Sequence, residues 1–206
     1  MILSLLLLLS FIFQPVRIKY KGGGDWYNDP EILPNITREL KERVGNIEVN
    51  PREKILTLKD PEIFNYPFLF ITGHGNIVLS DDEIQNLRKY LRSGGFVYID
   101  DDYGMDKFIR RELKKAFPDK KLEEIPFTHP IYHIFYNFPE GLPKIHEHYK
   151  GPPRAYGIFF GGRLSLLYTF NSNISDGWTD RYGDPQEIRE KAIRFGINII
   201  LYSILY

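Results

Sequence analysis

Phe68-Leu69-Phe70-Ile71-Thr72-Gly73-His74-Gly75 and Phe96-Val97-Tyr98-Ile99-Asp100-Asp101-Asp102 share one pattern, four apolar residues followed abruptly by small and polar ones. A strand with one wet face alternates apolar and polar side chains. Four uninterrupted apolar positions instead predict a strand buried on both faces, as in a parallel sheet covered by helices. Between the two runs, Ser80 and Glu83 have the spacing of a capping box. Ile84, Leu87 and Leu91 then form an apolar stripe that Gly94-Gly95 ends. Strand, helix and strand within about 30 residues make a βαβ unit, which needs a parallel pair and a right-handed crossover.

Upstream, Val16–Tyr20 reads as a first strand whose alternating Arg17, Lys19 and Lys21 form its solvent face. Asp29 and Pro30 suit the cap and first turn of a helix with Ile32, Ile36, Leu40 and Val44 on one stripe, stopped by Gly45. Ile47–Val49 and Ile55–Leu58 are short strand candidates. Downstream, a helix over Lys107–Phe117 is ended by Pro118, and strands are predicted at Leu122–Ile125, Ile131–Tyr136, Tyr156–Phe160 and Leu164–Phe170. The last helix starts at an Asp184 cap with Pro185 and Glu187 behind it. From Ala192 it is apolar almost all round, which places it against the sheet. The pattern predicts a three-layer, doubly wound, mainly parallel α/β sheet of the flavodoxin-like kind, one domain over residues 16–206.

Residues 1–15 read differently. Ile2 to Phe13 is apolar apart from Ser4 and Ser10, long enough for a signal core but short of the ~20 residues that span a bilayer. No Lys or Arg precedes it, and no small-residue cleavage site follows Phe13. The expectation is a signal or anchor, hence an exported or membrane-anchored protein of the periplasm or cell envelope that meets the membrane through this segment only. A buried N-terminal core segment is the competing reading. The 27 basic and 27 acidic residues cancel. That leaves no global field for nucleic acid, and the sequence shows no basic stripe. The absence of cysteine excludes disulfides, zinc–thiolate sites and a thiol nucleophile.

Ligands of open parallel sheets bind beyond the carboxyl ends of the strands. Gly73 and Gly75 flank His74 there, allowing close backbone approach with amide N–H groups turned to a ligand. Asp100, Asp101 and Asp102 repel one another, which raises at least one pKa unless a cation or hydrogen-bond donors compensate. His74, Asp100, Asp101 and His129 are the catalytic candidates. Asp100, Asp101, Asp102 and His74 are the candidate ligands of a divalent metal. The competing reading of the aspartates is that they cap the following turn. His129-Pro130-Ile131-Tyr132-His133 has the spacing of a helical zinc pair, but no Glu follows the first His and Pro130 intervenes. His129 therefore reads as a turn at the cleft edge, and His146 and His148 as surface residues. Asp25-Trp26 and Asp176-Gly177-Trp178 suit loops over a cleft, although both tryptophans also suit packing anchors. Gly22–Gly24 lacks the spacing of a phosphate cradle, and no G-x-S-x-G elbow is present.

Asp25-Trp26-Tyr27, Tyr66-Pro67-Phe68, Thr72-Gly73-His74-Gly75, the Ser80, Glu83, Leu87-Arg88 helix and Gly94-Gly95-Phe96 resemble, in that order, motifs of domain-of-unknown-function family 4159. So do Asp100-Asp101, His129-Pro130, Gly162-Arg163 and Ser175-Asp176-Gly177-Trp178, which adds Arg163 to the candidate ligand-binding residues. The resemblance runs from about Val16 to the C-terminus. It implies a bacterial protein with an N-terminal signal or membrane segment and a class I glutamine amidotransferase-like fold, but no particular reaction. In such folds the nucleophile follows a central strand, so Asp100 or Asp101 stands where the catalytic Cys would, and thiolate chemistry on glutamine is excluded. The resemblance also implies, by association, envelope proteins or a MoxR-type ATPase system as partners. The expected function is a non-catalytic envelope module that binds a ligand or partner. The alternative is a metal-dependent hydrolase of an envelope substrate, with Asp100, Asp101 and His74 on the cation and His129 as ligand or proton carrier.

Overall fold

In a computed structural model describing residues 12–206, the two apolar runs are neighbouring parallel strands, β5 (Phe68–Ile71) and β6 (Phe96–Asp100). They pair from Phe68 opposite Phe96 to Ile71 opposite Ile99. Phe68, Phe70, Phe96 and Tyr98 enter one apolar cluster and Leu69, Ile71, Val97 and Ile99 the other. Burial on both faces explains the unbroken apolar run. The remaining strands are β1 (Ile12–Phe13), β2 (Val16–Ile18), β3 (Glu48–Val49), β4 (Lys54–Leu56), β7 (Glu123–Glu124), β8 (Arg154–Phe160) and β9 (Arg163–Phe170). Of the nine strands among the described residues, seven form a sheet of order β4-β2-β5-β6-β9-β8-β7, parallel except where β8 joins β9 and β7, and β1 pairs separately with β3. Helices α1 (Ile32–Val44) and α4 (Gln186–Leu205) cover one face; α2 (Asp81–Arg92) and α3 (Asp106–Ala116) cover the other. The result is a mostly parallel, three-layer α/β sheet.

The capping box at α2 forms as expected, with the Ser80 amide and hydroxyl donating to the Glu83 carboxylate at 2.8 and 2.7 Å. The apolar last helix lies in the core, where Trp178 packs against Gly196 and donates its indole N–H to the Ala192 carbonyl at 3.0 Å. A Cβ at Gly196 would approach the indole to 2.6–2.8 Å.

Two expectations are corrected. Arg17 is not on a solvent face: it is 1% exposed, because β2 lies between β4 and β5 in a sheet covered on both sides. Alternation there records a buried ion pair with Glu53 at 2.9 Å. Ile131–Tyr136 is not a strand. Pro130–Tyr132 forms a 3₁₀ turn, and its backbone is satisfied by the side chain of Asn198 on α4, which accepts from Tyr136 N and donates to the Ile131 and Tyr136 carbonyls. The N-terminal apolar run is described only at Ile12 and Phe13. Phe13 is fully buried, its ring 5.9 Å from that of Phe68. Residues 1–11 of the expected signal or anchor fall outside the described residues. Among the described residues no helix is long and apolar enough to cross a membrane.

Candidate functional site

From β2 the chain runs outward to β4 and then returns past β2 to β5. The connections leaving β2 and β5 therefore diverge, the arrangement that opens a crevice at the carboxyl edge of a parallel sheet. Four such connections meet there. The one after β2 carries Asp25, Asn28 and Asp29, and the one after β5 carries His74. Asp102 follows β6, and Asn173, Asp176 and Asp184 follow β9.

Buried groups fix each connection. Arg17 donates to the carbonyls of Trp26, Asn28 and Asp29 at 3.3, 3.0 and 3.0 Å, clamping the first loop from below. Gly73, at φ 137°, leaves room for the Tyr20 hydroxyl and Asp25, which a Cβ would strike. Asp100 accepts from the Thr169 hydroxyl and from Ser175 N (2.7 Å), tying the β9 connection to β6. Asp29, Asn171 and Asn173 are the non-glycine residues with positive φ among the described residues, and all three lie on this edge. Asn and Asp tolerate that region better than most residues, and held local strain gathers at functional sites.

Asp29, Asp102 and Asp176 converge from three loops. They are 2–3% exposed, and each offers a carboxylate oxygen within 4.8 Å of the others. Asp102 accepts from Asn28 and from Asn173 Nδ2 (2.9 Å), and lies 3.3 Å from His74 Nδ1. The same His74 nitrogen is 3.0 Å from Asp25, whose carboxylate also accepts the His74 amide at 2.5 Å. Asp176 meets Asn173 at 3.1 Å and His146 Nδ1 at 2.9 Å, and Nε2 of that ring is 2.9 Å from Asp184. Asp29 takes the Arg181 guanidinium at 3.0 Å and the Tyr182 hydroxyl at 2.6 Å. Five carboxylates thus face one guanidinium and two imidazoles.

The electrostatics follow. Burial, then Asp176 and Asp100, push the Asp102 carboxyl up to about 8. The hydrogen bond to the Asp176 carboxylate leads the causes that hold His146 at about 9, and burial raises the Tyr182 phenol. The residues fit a hard divalent cation. Such ions take oxygen donors, the carboxylate excess asks for positive charge, and the buried Asn173 Oδ1 has no hydrogen-bond partner although its Nδ2 bonds to both Asp102 and Asp176.

The structure sorts the expected site residues. Asp102, His74, Asp25 and Asp176 come together. Asp100 is a buried tie, raised to about 6 by burial, and Asp101, also raised to about 6, accepts Met105 N at 2.8 Å at the start of α3. Neither joins the convergent trio. His129 packs on Phe159 and Tyr202, and Arg163 donates to the Gly95 carbonyl just before β6. Both lie at the opposite, amino end of the central strands, so the expected grouping of His129 with His74 does not form. Trp178 is core, and Trp26 lies under Lys19, whose Nζ is 5.5 Å from its ring. The amides of His74 and Gly75 are not turned to a ligand, since they bond to Asp25 and to the Tyr103 carbonyl.

Asp29, Asp184, His146, Asn28, Asn173, Arg181 and Tyr182 escaped the sequence reading. Asp29 and Asp184 each precede a proline and resemble helix caps, yet neither side chain caps its helix. None of the curated proteins compared with the chain matches it. The family model described as a domain of unknown function (DUF4159) matches residues 15–204, and the chain belongs to that family.

Proposed function

We propose that this chain binds a divalent cation at Asp29, Asp102 and Asp176 and uses it, with His74 alongside, for hydrolysis of a cell-envelope substrate. The observation that carries the reading is the convergence of three nearly buried aspartates from three loops at the diverging carboxyl edge. A bound cation there would polarise a substrate oxygen and lower the pKa of a water. The protein's own part is positional. Asp25 holds His74 through Nδ1, which leaves Nε2, across the ring, to accept a proton near the exposed rim. Asn173 and His146 orient the two inner carboxylates from behind, the role of outer partners at metal sites. Asp100 ends the central strand where an amidotransferase-like fold places its nucleophile. A relationship to that fold with the nucleophile lost agrees with the clamp Asp100 makes to Thr169. Export or membrane anchoring through the N-terminal apolar run belongs to the same proposal.

A second reading, a non-catalytic module that binds a ligand or partner, is favoured by Arg181 and Tyr182, which already occupy the Asp29 carboxylate. Titration calorimetry of Mn²⁺ and Mg²⁺ into chelator-treated full-length protein tests the first. It predicts about one ion per chain and at least a tenfold loss of affinity in Asp102→Asn and Asp176→Asn, the order seen when a metal site loses a supporting group. No binding at millimolar cation, or binding that both variants leave intact, overturns it.

A further inference from the structure

The amino edge of the sheet, opposite the candidate site, is apolar at its centre and basic at its flank. Ile12, Phe64, Leu205 and Tyr206 are 43–62% exposed. Ile12 begins β1, Phe64 lies in the 3₁₀ turn Pro61–Asn65 that precedes β5, and Leu205 and Tyr206 stand at the end of α4. The Phe64 ring is 6.1 Å from Tyr90, whose hydroxyl bonds to the Tyr66 carbonyl just before β5. Tyr206 stacks at 4.6 Å on Tyr202, itself 5.7 Å from Phe96 at the start of β6.

Beside this patch three segments bring cations together. Six basic and two acidic residues (Glu112, Asp119) lie between 110 and 121. Arg92 and Lys120 both reach the Phe160 ring, at 6.0 and 4.4 Å, where the β8–β9 hairpin turns back. Arg88 donates to the Lys115 carbonyl at 2.9 Å, joining the ends of α2 and α3. Arg88, Arg92 and Lys120 line one depression, and Arg110, Lys114, Lys120 and Lys121 the next. The cluster joins cations of α2 to those of α3 and of the loop after it, segments about 20 residues apart in sequence.

We propose that this edge rests on an anionic lipid bilayer surface, with Ile12, Phe64, Leu205 and Tyr206 at the headgroup boundary and Arg92, Lys114, Lys115, Lys120 and Lys121 on its charges. The inference rests on the membrane-anchoring part of the proposed function and not on the cation site. Two independent features select a bilayer. Exposed apolar and aromatic side chains flanked by Lys and Arg match what an anionic interface holds. Ile12 and Phe13, the last residues of the leucine-rich run in the sequence, form β1 on this edge. A chain tethered there presents its amino edge to the membrane and its Asp/His cluster outward, away from it.

The absence of native cysteine makes the test direct. Single Phe64→Cys and Tyr206→Cys variants of the full chain carry a polarity-sensitive fluorophore, with Tyr27→Cys on the carboxyl edge as the reference position. Vesicles of phosphatidylcholine alone are compared with vesicles also containing phosphatidylglycerol. The expected result is a blue shift at positions 64 and 206 but not 27, requiring phosphatidylglycerol. It falls at least about fivefold between about 0.1 and 1 M salt, as the screening length drops from ~10 to ~3 Å. Lys114→Gln combined with Lys121→Gln, both exposed and distant from the core, weakens the shift while leaving vesicle flotation unchanged. Solvent-like spectra at 64 and 206 on floating vesicles, or equal shifts on both edges, overturn the orientation. Failure to float at all overturns the anchor with it. Cation binding by the same samples is unaffected in every case.

Discussion

Replacing Arg17 with Met removes the group that joins the sheet to the candidate site. Its guanidinium is 1% exposed and makes four hydrogen bonds: one to Glu53 (2.9 Å) and three to the carbonyls of Trp26, Asn28 and Asp29. Met retains much of the volume over the Phe70 ring, 5.7 Å from the guanidinium carbon, so a packing void is a minor part of the cost. What is lost is the partner of a largely buried carboxylate and of three inward-turned carbonyls. Breaking a buried ion pair from one side costs about 3–5 kcal/mol. At about 2–4 °C per kcal/mol for a chain of this size, the melting temperature falls by roughly 6–20 °C. Arg17→Lys keeps the charge but cannot span the fork, and falls between the two. Urea denaturation followed by circular dichroism gives the free energy. Calorimetry below the transition shows whether cation affinity drops as well, since the loop presenting Asp29 is no longer clamped.

 A variant within about 1 kcal/mol of wild type, or one that is destabilised but binds cation unchanged, would refute the view that Arg17 organises the Asp29 loop.

Three further outcomes follow from packing and charge. Gly196→Ala drives a methyl against the Trp178 indole and should destabilise by about 1–3 kcal/mol, read by thermal melting, with Trp178 fluorescence reporting the displaced ring. Asn198→Ala leaves the Tyr136 amide and two carbonyls without partners, costing on the order of 2–4 kcal/mol. Hydrogen exchange should show the Tyr136 amide losing protection ahead of β5 and β6. Burial raises Asp100 and Asp101 to about 6, so folding favours their protonated forms. Their contribution is greatest below the unfolded value near 4 and is lost as pH rises through about 6, on the order of 3 kcal/mol for Asp100 alone. Asp100→Asn should flatten that part of the stability profile in urea titrations between pH 4 and 7, the range that brackets both values.

The sheet was legible because its strands are buried on both faces, and Phe68–Ile71 and Phe96–Ile99 cannot be read as anything half-wet. The same burial misled the reading of β2, where Arg17 alternates with apolar neighbours yet points into the molecule. Ile131–Tyr136 carries strand-like residues, but its hydrogen bonds are supplied by Asn198, more than 60 positions away, and no local pattern encodes that. The site was half legible for a related reason. His74, Asp102, Asp25 and Asp176 stand at strand ends or in polar loops, where chemistry is sought. Asp29 and Asp184 stand before prolines, where a cap is the simpler reading, and their carboxylates turn away only because Arg181, Tyr182 and His146 draw them. His146 looked like surface since nothing near it in sequence marks Asp176 and Asp184 as its partners.

The most direct measurement of the central claim is anomalous diffraction from crystals soaked in Mn²⁺. The account predicts one strong peak bounded by the carboxylates of Asp29, Asp102 and Asp176, absent from Asp176→Asn crystals treated alike. Manganese bound elsewhere while those three carboxylates keep only their Asn, His, Arg and Tyr partners would contradict it.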